Sequence, residues 1–103
     1  MLFGDLGKEI TRINTTNGWD VPNDWADPYK IPGFLAMVHS EVSEALEAFR
    51  RDDREHFAEE LADTIIRVLS CADGLDIDID AAVSAKMAKN RERGFHHGGE
   101  KRI

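Results

Sequence analysis

The chain has a single cysteine, Cys71, among 103 residues, so neither an intrachain disulfide nor a cysteine-based metal site can form. No apolar run approaches the roughly 18 residues that a membrane span needs, and the amino terminus carries no signal-peptide pattern. Basic residues are scarce, 13 against 20 acidic ones, for a net charge of −7. A surface of that sign repels polyphosphate on average, which disfavours polymeric nucleic acid and anionic membranes as partners. An anionic ligand would need a local cation cluster or a metal. Sustained period-two alternation is also missing: only Leu75 to Asp80 alternates, and its aspartates oppose a strand. No internal repeat is visible. Hydrophobic residues at 42% and charged residues at 32% exclude intrinsic disorder. The expectation is one acidic, soluble, cytoplasmic domain over residues 1–103, with a single core.

Four amphipathic helices are present instead. Leu2, Leu6, Ile10 and Ile13 form one stripe, stopped by Asn17-Gly18. Residues 19–32 hold all three prolines, both tryptophans and the only tyrosine, which predicts a loop. Loops of that length usually have a task. A second helix is expected from Gly33 to about Arg50, with Phe34, Val38, Val42, Ala45 and Phe49 on one face and Leu35 and Leu46 beside it. Arg51-Asp52-Asp53 reads as a turn. The third helix, about Arg54 to Asp73, carries Phe57, Leu61, Ile65, Val68 and Ala72, widened by Ala58, Ala62, Ile66 and Leu69. An arc so broad predicts packing on two sides. Gly74 is the expected left-handed stop. A fourth helix should start at Asp78 or Asp80 as N-cap and run to about Arg93, closed by Gly94. Residues 95–103 form a short basic tail. The fold class is all-α.

Two acidic pairs carry the chemistry. Glu41 and Glu44 stand three apart on the second helix, Glu60 and Asp63 three apart on the third. Residues at i and i+3 share a helix face, and a short turn makes the two helices antiparallel neighbours, so all four carboxylates can meet on one patch. Glu41 lies about 20° from Phe34 on the wheel, at the edge of the apolar stripe. Four like charges beside a core raise one another's pKa values and repel by about a kcal/mol per close pair. A divalent cation removes that penalty, and hard oxygens favour Mg²⁺ or Mn²⁺. Spacing alone also allows a solvated acidic face with an Asp63–Arg67 ion pair at i, i+4; Glu41 at the core edge is what supports the metal reading.

Lys86, Asn90 and Arg93 fall within about 60° on the fourth helix, the densest positive surface of the chain, to which Lys101 and Arg102 can add. Such cations also complement a helix C-terminus. Acids that bind metal together with a cationic stripe suit a polyphosphate ligand.

The ordered set E-x-x-E (Glu41 to Glu44), E-x-x-D (Glu60 to Asp63) and K-x-x-x-N-x-x-R (Lys86 to Arg93) resembles the MazG-like all-α nucleoside triphosphate pyrophosphohydrolases, over about Phe34 to Lys101. The resemblance implies a four-helix bundle-type fold completed by dimerisation, as a homodimer or a dimer of dimers. It implies Mg²⁺-dependent cleavage of a nucleoside triphosphate between the α and β phosphates, giving a nucleoside monophosphate and pyrophosphate. Glu41, Glu44, Glu60 and Asp63 would hold the metal, with Glu41 or Glu44 activating water; Lys86, Asn90 and Arg93 would bind phosphates or sugar. Ser40 and Ser43 depart from the family pattern, where many members have glutamate and glycine. Trp25, ahead of the first motif, resembles a base-binding element of pyrimidine-preferring relatives, and Trp19 is the second candidate. His96 and His97 resemble a tail element that folds over phosphates. His39 is expected at the surface.

A di-iron carboxylate bundle needs two E-x-x-H pairs, and the chain has none. Two alternatives stay open. A non-enzymatic dimeric helical module would be indifferent to Mg²⁺ and stabilised by Glu41→Gln. A phosphoribosyl-ATP pyrophosphohydrolase-like enzyme would share the acidic site.

Overall fold

The computed structural model describes residues 2–19 and 22–93. Four helices follow in order: α1 (Leu2–Thr16), α2 (Lys30–Arg50), α3 (Arg54–Gly74) and α4 (Ile79–Arg93). The tail with His96 and His97, and the expected stop at Gly94, lie outside the described residues. None of the described helices is long and apolar enough to cross a membrane.

The three turns use one device. After α1, Gly18 takes φ +78°, and Trp19 N donates to Asn14 O while Gly18 N donates to Thr15 O. After α2, Asp52 (φ 57°) lets Asp53 N reach Ala48 O and Asp52 N reach Phe49 O. After α3, Asp76 (φ 56°) does the same with Ile77 N on Ala72 O. Each is a Schellman closure. The third corrects the expectation at Gly74, which is still helical: the left-handed residue is Asp76, a short polar side chain that tolerates that region.

Helix starts are set by aspartates. Asp53 accepts from His56 N and opens α3; Asp78 accepts from Ala81 N and opens α4. Asp80, the other cap candidate, works in trans, taking Phe3 N and Gly4 N at the start of α1. The α2 start is three residues earlier than Gly33. Asp27 accepts from Tyr29 N and Lys30 N, and Pro32 sits in the first turn, where no intrahelical donor is required. Those two N–H groups, Tyr29's first, hold the Asp27 carboxyl below its usual range.

α3 is the central rod, packing along α2 on one side and α1 on the other, with α4 touching α1 and α3 more lightly. Gly7 lets α1 approach closely, since a Cβ there would stand 3.1 Å from Leu69 O. The enclosed residues are mostly small: Ala45, Ala48, Ala72 and Ser70, with Ile10 and Leu69. The α2 face that meets α3 is therefore Phe34, Val38, Glu41, Ala45 and Ala48, rotated from the stripe expected in the sequence. Val42 and Phe49 are 53% and 71% exposed. On α3 the second apolar side also has no partner among the described residues, leaving Leu61, Ile65 and Val68 open. Leu2, Leu6 and Ile13 of α1 are likewise exposed.

Candidate functional site

The antiparallel α2–α3 pair brings the four acids together. Ligand oxygens of Glu41, Glu60 and Asp63 lie within 4.8 Å of one another, and Glu44 joins Glu60 through a second group of the same compass that includes His56. His56 stood outside the two acidic pairs; its i, i+4 spacing to Glu60 is the signal in the sequence that could have placed it there. Its Nε2 is 2.9 Å from Glu60 Oε2.

The site is electrostatically divided. Arg67 Nε donates to Glu41 Oε2 at 2.8 Å, so the expected local pairing of Arg67 with Asp63 gives way to a bond across the helix interface. That guanidinium is the main reason the Glu41 carboxyl titrates below its ordinary range; a hydrogen bond shared with Glu60 acts in the same sense, against burial. Glu60 moves the other way. The hydrogen bond shared with Glu41 raises it most, then burial and the charge of Glu41, with His56 opposing. Of the pair, Glu41 therefore ionises first as pH rises and Glu60 later.

Glu60 is also the buried member of the cluster, 8% exposed, and no hydrogen-bond donor reaches its Oε1. An orphaned buried carboxylate oxygen among three other acids is what a divalent cation would satisfy, so the donor set fits such an ion.

Two of the acids, Glu41 and Asp63, line a cavity of about 640 Å³, with Trp19 and Arg67 also among its walls and Asn14 and Ser70 at the α1–α3 side. Asn14 Nδ2 lies 3.4 Å from Ser70 Oγ. Trp19 lines this space because the α1 Schellman turn fixes the residue after Gly18. Trp25 sits instead in an Asx turn closed by Asp24 Oδ1 on Ala26 N, is 79% exposed, and does not line the cavity. His39 is exposed. Lys86, Asn90 and Arg93 are all exposed on α4; Arg93 Nη1 approaches Asn90 Oδ1 at 3.4 Å. Among the described residues no hydrogen bond or ion pair links those three to the four acids.

The acidic cluster, α3, α4 and all of α2 from Pro32 onward fall inside the region, residues 32–97, that matches the MazG nucleotide pyrophosphohydrolase domain. That is more than half of the chain, and the chain belongs to this family. No curated protein and no solved structure matches it. The family, the all-α four-helix arrangement and an acidic cluster able to coordinate a divalent metal define a pyrophosphohydrolase-type protein.

Proposed function

We propose that the protein hydrolyses a nucleoside triphosphate between the α and β phosphates, with Mg²⁺ (or Mn²⁺) bound, releasing a nucleoside monophosphate and pyrophosphate. The observation that carries this is the convergence of Glu41, Glu44, Glu60 and Asp63 beside a cavity that Glu41, Asp63 and Trp19 line. Those four side chains hold the metal, which when bound neutralises charge on the phosphates. Glu41 is the better placed of the two glutamates to take a proton from water: its hydrogen bond to Arg67 keeps it ionised, while Glu44 is exposed and lies with the Glu60–His56 side of the cluster. Arg67, in the same wall, orients Glu41. Trp19 stacks on the base, and a pyrimidine deoxynucleotide is the favoured substrate; Trp25, the other candidate, stands outside the cavity. Lys86, Asn90 and Arg93 bind phosphates or sugar from the basic half of α4.

A homodimer or a dimer of dimers is part of the same reading. The exposed apolar residues Leu35, Leu46, Phe49, Leu61 and Ile65 are spread over α2 and α3, where a second copy would cover them.

The test is a panel of nucleoside triphosphates with Mg²⁺, scored for pyrophosphate against orthophosphate, with and without EDTA. Pyrophosphate and monophosphate in equal amounts, lost on chelation, is the expected result. Orthophosphate as the sole primary product overturns the cleavage position. No turnover of any nucleotide favours the non-enzymatic module.

A further inference from the structure

The acidic cluster has a nitrogen in it. His56 and Glu60 are one turn apart on α3, at the i, i+4 spacing by which two side chains of one helix grip a single ion. Glu44 reaches the same point from α2, and ligand atoms of Glu44, His56 and Glu60 lie within 4.8 Å of one another. Glu60 belongs to both groups, with Oε2 against His56 and Oε1 buried without a donor. One face of the cluster is thus all oxygen (Glu41, Glu60, Asp63), and the other is mixed.

We propose that His56 is an inner-sphere metal ligand, and that the Glu44–His56–Glu60 face binds a divalent transition ion through the imidazole nitrogen. The inference rests on the metal-binding reading above and deepens it. Mg²⁺ takes oxygen ligands and keeps its waters, whereas an imidazole shifts preference toward the first-row transition ions. The His56 side chain is 44% exposed, which leaves an approach for the ion from solvent. A histidine that served only as an ion-pair partner for Glu60 would put no nitrogen on a bound metal.

The experiment uses the untagged full chain with Mn²⁺ alone and no nucleotide, read by electron spin-echo envelope modulation. Nitrogen-14 modulation from a directly bound imidazole is expected in the wild type, lost in His56→Gln with helical circular dichroism intact. It should be retained in His39→Gln, whose histidine is exposed on α2. Mn²⁺ affinity should fall about tenfold or more in His56→Gln, since loss of even a ligand's supporting partner costs about 10–100-fold. Histidine labelled with nitrogen-15 gives a second readout that needs no variant: the modulation must change to the nitrogen-15 pattern. Absence of Mn²⁺ binding, absence of nitrogen modulation in the wild type, or its persistence in folded His56→Gln overturns the assignment. Pyrophosphate release with Mg²⁺ is measured on the same preparation. Release without a nitrogen signal sinks the ligand and leaves the hydrolase standing; a nitrogen signal without release does the reverse.

Discussion

Arg67 crosses from α3 to α2 to hold Glu41, Nε to Oε2 at 2.8 Å, so the central helix supplies the counter-charge for its neighbour's acid. Both side chains are largely covered, at 25% and 16% exposure. Arg67→Met would leave Glu41 facing Glu60 and Asp63 without compensation. Fully buried pairs cost about 3–5 kcal/mol when one partner is removed; solvent at this site screens part of that, and about 1–3 kcal/mol is expected. Urea unfolding in EDTA measures it, and an unchanged midpoint would show that the contact contributes nothing to the α2–α3 pairing.

The two central glutamates should respond oppositely to pH. Glu41 titrates below its ordinary value, so its contribution is present at pH above the unfolded value of about 4.3 and fades as pH falls through the lowered one. Glu60 titrates above its ordinary value, so its contribution is complete at acid pH and is lost as pH rises through the raised one. In metal-free protein, Glu60→Gln should therefore raise the melting temperature at pH 8 and lose that advantage near pH 4. Glu41→Gln should lower it at pH 8, the loss shrinking toward acid. Relief of repulsion, which the non-enzymatic alternative placed at Glu41, belongs to Glu60, because Arg67 already pairs with Glu41. Parallel shifts in the two variants would contradict this division.

How far the sequence carried can be judged at these residues. Helical periodicity located all four helices, and cap chemistry narrowed the start of α4 to Asp78 or Asp80, because both depend on neighbours in the chain. The convergence of the four acids was legible for the same reason: i, i+3 spacing and a three-residue turn leave little freedom. Arg67 was misjudged because its nearest partner by sequence, Asp63, competes with one across the interface. The apolar stripe of α2 was misplaced because α2 and α3 each have more apolar surface than one contact consumes. Periodicity shows that a face is greasy but not which neighbour covers it; Val42 and Phe49 are exposed, while Ala45 and Ala48 pack. That Trp19 rather than Trp25 lines the cavity follows from the left-handed glycine before it, which composition does not report.

Two helical glycines offer a contrast with opposite signs. Around Gly33 nothing lies within 4 Å of an added Cβ, so Gly33→Ala should stabilise by about 0.5–1 kcal/mol through backbone entropy alone. At Gly7 the added Cβ meets Leu69 O at 3.1 Å and Asp73 Cβ at 3.5 Å. The first of these is backbone, which cannot swing aside, so α1 must lift from α3. Gly7→Ala should cost about 1 kcal/mol or more despite the better helix former. Chemical denaturation of the pair of variants checks both signs.

Trp19 and Trp25 can be separated by fluorescence, since each is the sole indole when the other is replaced by phenylalanine. Trp19 is 62% exposed with its position fixed by the bond from its backbone N–H to Asn14 O, and it lines a cavity shared with Glu41 and Asp63. An indole held this way offers a face to an incoming base without having to be ordered first, and such stacking contributes about 1–3 kcal/mol. Titration with Mg²⁺ and a non-hydrolysable α,β-bridged nucleotide should quench Trp25→Phe, where Trp19 reports, and leave Trp19→Phe nearly silent. Trp19→Ala should weaken binding of the analogue by about tenfold, in line with that stacking range, whereas Trp25→Ala should change it little. Quenching confined to Trp19→Phe would move the base out of the cavity and into the loop ahead of α2.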